Sequence, residues 1–218
     1  KVDSDLAADR ATTYISARAE AITDAAQNVA DELSALQASE YISDRTAPQV
    51  ESFTLNMTTG VITVSFDEIV NASSADLSGF RIASTDGAGA QTSSGLAGTV
   101  TSSDGLVLEF TMTTASSNEI RANAALGVAN SSSFLVVAEG SIDDIDGNGV
   151  AASTTAVAEY TADLIEPTAT GFVIDLDQGV LIMQYTQPVN GATLDFRTFT
   201  LQNAGTGSVA SHTLTAGT

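Results

Sequence analysis

"FDEIVNASSADLSGFRIASTD" at 66–86 is stated again, in altered residues, as "YTQPVNGATLDFRTFTLQNAG" at 185–205. Pro48 and Pro167 stand 119 residues apart (167 − 48), and the same offset pairs Phe53 with Phe172, Gly60 with Gly179, Val61 with Val180 and Phe66 with Tyr185. It also pairs Val70-Asn71 with Val189-Asn190, Asp76 with Asp195 and Phe80 with Phe199. One offset holding without a gap over both segments marks an internal repeat, so the chain is read as copies of one folded module.

The first 46 residues set propensity against that repeat. "LAADRATTYISARAEAITDAAQNVADELSALQ" at 6–37 is rich in Ala, Glu and Gln, and taken alone it reads as a helical hairpin. A shift of 120 nevertheless pairs Leu6 with Leu126, Tyr14 with Phe134, Ile22 with Ile142, Asp24 with Asp144 and Asn28 with Asn148. A shift of 119 then pairs Glu40-Tyr41 with Glu159-Tyr160 and Asp44 with Asp163, and the one-residue indel between the blocks is expected in a loop. Helix propensity is a weak prior that tertiary context overrides, so the repeat decides in favour of strands.

The expected organisation is therefore residues 1–46 as the end of one repeat, 47–165 as a complete repeat and 166–218 as the start of a third. Even "AGT" at 216–218 matches "AGT" at 97–99, and the counterpart of "VTSSDGLVLEFTMTTASSNEI" (100–120) is what two full periods lack. The chain reads as a window cut from a longer tandem array.

Strand periodicity supports an all-β module. "VITVSF" alternates, with Ile62, Val64 and Phe66 on one face and Val61, Thr63 and Ser65 on the other. "VESFTLN" precedes it across "NMTTG", which carries the Asn and Gly of a hairpin. "GLVLEFTM" alternates through Leu106, Leu108, Phe110 and Met112, and "SSFLVVAE" and "TTAVAEYTA" complete the set. Short strands separated by turn signals predict antiparallel sandwiches rather than a parallel sheet with crossover helices.

Charge narrows the partners. Acidic residues number 27 against 7 basic, a net charge of −20 that repels nucleic-acid phosphates and anionic membrane surfaces alike. Such a surface favours solubility or gathers cations. There is no Cys, which excludes disulfides, thiol chemistry and cysteine zinc sites, and no uninterrupted apolar run approaches the length of a membrane span.

"APQVESFTLNMTTGVITVSFDEIVNASSADLSGFRI" (47–82) resembles the opening of bacterial-type Ig-like repeats, including those of surface-layer proteins and adhesins. "SSFLVVAEGSIDDIDGNGVA" (132–151) is similar to their later acidic element. The resemblance covers nearly the whole chain through loose motifs. It implies tandem Ig-like antiparallel β-sandwiches in very large secreted proteins of bacteria or microalgae, hence an extracellular or cell-surface location. The structural role it implies is a rod, surface layer or filament, sheath or flagellar-hair-like, in which neighbouring copies of the chain are the partners. A chain whose flanking repeats are partial invites completion by strand addition. The alternative is an adhesin binding glycan or a surface protein through its loops, with 84–95 the stretch that differs most from its counterpart.

Candidate sites are few. In "DDIDGNG" (143–149), Asp144, Asp146, Asn148 and Gly149 match the start of a calcium loop, alternate oxygen ligands converging on a hard cation. The twelfth position is Thr155, where an EF-hand places a bidentate Glu. The earlier copy keeps Asp24 and Asn28 alone, a pair four apart that equally suits a side-chain-stabilised turn without metal. Calcium is the only cofactor these residues point to.

N-x-S/T sequons at Asn56, Asn71 and Asn130 offer glycosylation sites in a eukaryotic source. Asn71 has a turn role as its rival, since Asn190 sits in "VNGA" without an acceptor hydroxyl. An enzyme is not expected: the single His, His212, has Ser93 as its counterpart, and the carboxylates Asp67 and Glu68 have none 119 residues on.

Overall fold

The computed structural model describes residues 9–215, so the pairings at Leu6 and at 216–218 lie outside the described residues. The chain divides into two compact units between Ile165 and Glu166. The described part of the Ala-rich opening is β structure and turns. Strands β1 (Tyr14–Ala17) and β2 (Leu33–Gln37) pair antiparallel, with an isolated bridge between Thr23 and Val29 in the connection. Glu20, Gln27 and Ala35 lie in the left-handed region, at φ 70°, 69° and 45°, which a right-handed helix cannot accommodate. The later copy carries Gly140 and Gly147 at the first two of these positions, at φ 72° and 87°.

The offset changes inside a strand, not in the loop the sequence led us to expect. Tyr14 opposite Gln37 and Ile15 opposite Leu36 reproduce Phe134 opposite Ala156 and Leu135 opposite Thr155. Ala17 opposite Leu33 reproduces Val137 opposite Ser153, so the additional residue falls between Leu33 and Leu36. It is absorbed as a β-bulge at Ala35, whose N–H donates to Ser16 Oγ at 2.9 Å. A bulge takes up one residue while keeping the faces of the flanking strand in register.

The rest of the first unit forms β3 (Val50–Asn56), β4 (Val61–Val70), β5 (Phe80–Ala83), β6 (Gly98–Val100), β7 (Gly105–Met112), α1 (Thr114–Ala122), β8 (Phe134–Val137) and β9 (Ser153–Thr161). Seven strands make one sheet in the order β5-β8-β9-β3-β4-β7-β6. All neighbours run antiparallel except β3 and β9, which run parallel from Phe53 opposite Val157 to Asn56 opposite Thr161. The all-β character is as expected, while one curled mixed sheet stands where two antiparallel sheets were expected. Nearly the whole module separates β3 from β9, so no tight turn dictates an antiparallel pairing between them.

The curl builds the core. Phe80 on β5 and Phe110 on β7 are first and sixth in the strand order, yet their rings meet edge to face at 5.9 Å. Alternation supplies the lining: Ile62, Val64 and Phe66 of β4 are buried with Phe53, Leu55, Leu108, Ile82 and Leu135. Leu106 departs from the β7 alternation and is exposed, because the β4–β7 register shifts between Ser65 opposite Val107 and Val70 opposite Gly105.

Helix α1 occupies the "TASSNEIRA" that the strand pattern passed over. Thr113 caps it by accepting the Ser116 N–H at 3.2 Å, and Ile120 enters the core. Arg121 ties its end to Asp163 at 2.8 Å and to the Met57 carbonyl at 2.6 Å.

The second unit repeats this local structure position by position. Strands β10 (Ala169–Asp175) and β11 (Val180–Tyr185) pair as β3 and β4 do: Phe172 opposite Met183 for Phe53 opposite Val64, with the same irregularity after the first pair. The 3-10 turns Ala72–Ser74 and Leu77–Gly79 recur as Gly191–Thr193 and Phe196–Thr198. Each is capped alike. Asn71 and Asn190 accept from the N–H two residues on, as do Asp76 and Asp195. Strands β12 (Thr200–Gln202) and β13 (Ser211–Thr213) close the described part, with Gln202 opposite Ser211 where Ala83 bridges Thr92.

Candidate functional site: an acidic turn and an open apolar face

The turn at 143–149 is built from protein hydrogen bonds. Asp144 Oδ1 accepts the N–H groups of Asp146 and Asn148, both at 2.8 Å, and Oδ2 accepts Asn148 Nδ2 at 2.9 Å. Asp24 repeats every bond, Oδ1 accepting from the Ala26 and Asn28 N–H groups and Oδ2 from Asn28 Nδ2 at 2.8 Å. Hydrogen bonds from Asn28, side chain first and backbone second, hold the Asp24 carboxyl below its ordinary value. Of the three residues proposed from sequence as calcium ligands, the structure joins Asp144 and Asn148 to each other, and Asp146 enters the turn through its N–H.

The two copies differ in their surroundings. Asp24 is exposed, whereas Asp144 is 1% exposed and bridges Val70 at the end of β4. Two carboxylates that the sequence did not link to it converge there. One carboxylate oxygen each of Asp44, Glu68 and Asp144 lies within 4.8 Å of the others. Carboxylates so close are relieved by a cation or a proton. Among the described residues, these three are the ones placed to hold an ion, which would share Asp144 with the turn's own donors. Asp44, Glu68 and Asp144 lie far apart in sequence, which left no local signal to find them by.

Asn56 and Asn71 act as turn formers. Asn56 Oδ1 accepts the N–H groups of Thr58 and Thr59 at 3.0 Å, and Asp175 does the same for Asp177 and Gln178. Asn71 Oδ1 accepts the Ser73 N–H at 3.0 Å. Asn130 is exposed at the start of a short 3-10 turn. His212 is exposed on β13. The loop at 84–95 is tied down by Ser93, whose buried hydroxyl accepts the Ile82 N–H at 3.0 Å.

The second unit presents an apolar face whose counterpart residues in the first unit are buried. Phe172, Leu181, Met183, Phe199 and Leu201 line a groove of about 450 Å³. Their counterparts Phe53, Ile62, Val64, Phe80 and Ile82 are all fully buried. Phe172 is 58% exposed where Phe53 is 0% exposed. In the first unit β9 pairs with β3, β8 with β5 and β7 with β4, and Phe110 of β7 meets Phe80, whereas among the described residues β10 pairs only with β11 and β12 only with β13.

No family model and no curated protein matches the chain. Among solved structures, domains 1–6 of the surface layer protein SbsC align over 64% of this chain and 18% of that one, at 18% identity and a TM-score of 0.35. The N-terminal part of the same bacterial S-layer protein aligns over 64% and 31%, at 15% identity and 0.35. A thermostable esterase aligns over 64% and 42%, at 12% identity and 0.31. The chain thus spans less than a third of either S-layer chain. Likeness at these scores carries no functional argument. Among the described residues, no helix is long and apolar enough to cross a membrane.

Proposed function

We propose that the chain is a non-catalytic structural module of an extracellular or cell-surface assembly, a rod, surface layer or filament made of Ig-like repeats with copies of itself as neighbours. The observation that carries this reading is the recurrence of one module at a fixed offset, down to the capping bonds of Asn71 and Asn190. Repetition of this kind builds length and surface. The excess of acidic residues keeps such repeats soluble and discourages unspecific edge pairing between them. The reading takes 1–46, 47–165 and 166–218 as the end, whole and beginning of successive repeats.

Electron microscopy and sedimentation of the purified chain over a wide concentration range test the proposal. Ordered oligomers, rods or sheets that grow with concentration support it; a chain that stays monomeric throughout contradicts it.

A second reading, an adhesin made rigid by calcium, draws on the convergence of Asp44, Glu68 and Asp144. It requires that calcium raise the melting temperature and that a glycan or surface protein bind the loaded form.

A further inference from the structure

One stretch of the complete module joins the two ends of its sheet. Residues 91–96 bond to β5, the first strand in the order: the Ser93 N–H donates to the Ile82 carbonyl at 2.8 Å and the Leu96 N–H to the Phe80 carbonyl at 2.9 Å. At Ala97 the same stretch passes over to β7. The Ala97 carbonyl accepts the Thr113 N–H at 2.8 Å, and β6 then sets Gly98 opposite Met112. This strap covers the outer edges of both β5 and β7, and bare strand edges are what other chains pair with.

Side chains hold the strap where a continuous ladder would otherwise run. Ser93 Oγ takes the place of a carbonyl for the Ile82 N–H, and Ser84 Oγ accepts the Gln91 N–H at 3.0 Å. Helix α1 supplies two further ties: Ser116 Oγ accepts the Ala97 N–H at 2.9 Å, and Glu119 Oε1 the Ser94 N–H at 2.6 Å. The fit is close, since a methyl group at Gly95 would collide with the Ser78 carbonyl. The other side of α1 grips the end of the module. Arg121 Nε donates to Asp163 Oδ2 at 2.8 Å and Nη2 to the Met57 carbonyl, while Thr58 Oγ1 donates to the Ala162 carbonyl at 2.7 Å and accepts the Leu164 N–H at 3.1 Å.

We propose that α1 is a buckle through which the strap at 91–97 and the departing chain at 162–164 open together. Freeing Asp163 loosens the hold of Ser116 and Glu119 on the strap and uncovers the β5 edge. Opening the strap loosens Asp163 in turn, because a coupling between two sites is reciprocal. Load on the chain that leaves the module thus decides whether this edge is available for pairing. Every residue involved lies within 57–164, so the inference stands apart from how the chain associates.

Amide hydrogen exchange on the full-length chain reads the coupling in both directions. Arg121→Ala is expected to speed exchange of the Ile82, Ser93, Leu96 and Ala97 amides about five-fold or more, and to leave the hairpin amides at 53–55 and 62–64 unchanged. Gly95→Ala, which forces the strap from its own side, is expected to speed exchange of the Leu164 amide. Ser116→Ala, which removes one tie without adding an atom, serves the same arm if Gly95→Ala does not fold. Strap amides that keep the unsubstituted rate in Arg121→Ala overturn the inference. Hairpin amides accelerated by the same factor overturn it too, since that is global loss of stability and not opening at the seam. A Leu164 amide indifferent to release of the strap removes the reciprocity and with it the coupling.

Discussion

Phe53 and Phe172 hold the same place in the same ladder and differ in cover. Phe53 faces Val64 across β3 and β4 and is fully buried; Phe172 faces Met183 across β10 and β11 and is 58% exposed. Identical pairing with unequal burial separates what the hairpin sequence fixes from what the neighbouring strands contribute. Phe53→Ala removes a fully buried ring and is expected to cost about 3–5 kcal/mol. Phe172→Ala should cost the isolated chain well under about 1 kcal/mol, the usual range for exposed positions. Urea unfolding of both variants at low protein concentration measures the contrast, and equal costs would contradict it.

The caps should also behave as copies. Asn71 and Asn190 each accept an N–H at the head of a 3-10 turn, at 3.0 Å in both units. Asn71→Ala is expected to lower the stability of the first unit by about 1 kcal/mol, the usual size of a lost cap. Asn71→Asp should keep nearly all of it. Thermal unfolding distinguishes the two variants.

Asp76 gives the caps a pH dependence. Its carboxyl lies below the ordinary value, held there first by the Ser78 hydroxyl and then by the Ser78 N–H. A depressed folded value means that its stabilisation is complete above the ordinary 3.8 and is lost as the pH falls through the lower folded value. Asp76→Asn keeps the acceptor and removes the titration. Its deficit relative to the unsubstituted chain should therefore be largest at neutral pH and shrink in acid, as read from melting curves over that range. A deficit that does not change with pH would count against this role.

Much of the module was legible in the residues. The 119-residue offset and the alternation of Ile62, Val64 and Phe66 gave the β3–β4 hairpin, the turn role of Asn71 and one face of the core, because each depends on neighbours close in sequence. What escaped depends on distant contacts or on single dihedral angles. The parallel pairing of β3 with β9 joins residues about a hundred positions apart, so no local pattern encodes it. Helix α1 hid in a Ser/Thr-rich run whose signals are the Thr113 cap and Ile120, and the Ala35 bulge looked like a loop indel. The Asp44–Glu68–Asp144 cluster forms only when the segment before β3 passes the end of β4.

The left-handed residues of the first copy offer a gain of stability. Glu20 and Gln27 take the backbone conformation that Gly140 and Gly147 take in the later copy. Non-glycine residues held there cost on the order of 1 kcal/mol. Gln27→Gly and Glu20→Gly are each expected to slow amide exchange across the Thr23–Val29 bridge. Faster exchange would show that these dihedral angles carry no strain.

Calcium should leave the 143–149 turn unmoved, since protein donors already occupy both Asp144 oxygens. A site filled at about a hundred times its Kd would add about 2.7 kcal/mol and raise the melting temperature by several degrees. Melting curves in EDTA and in excess calcium are expected to coincide. A rise of that size, abolished by Glu68→Gln, would favour the calcium-dependent adhesin.

Hydrogen exchange at 169–175, followed against 50–56 as protein concentration increases, tests most directly whether one module is present twice and open once. The expected result is strong protection of 50–56 at every concentration, with much weaker protection of 169–175 in the dilute chain. Strong protection of both stretches in the dilute monomer, or of neither at any concentration, would contradict the account.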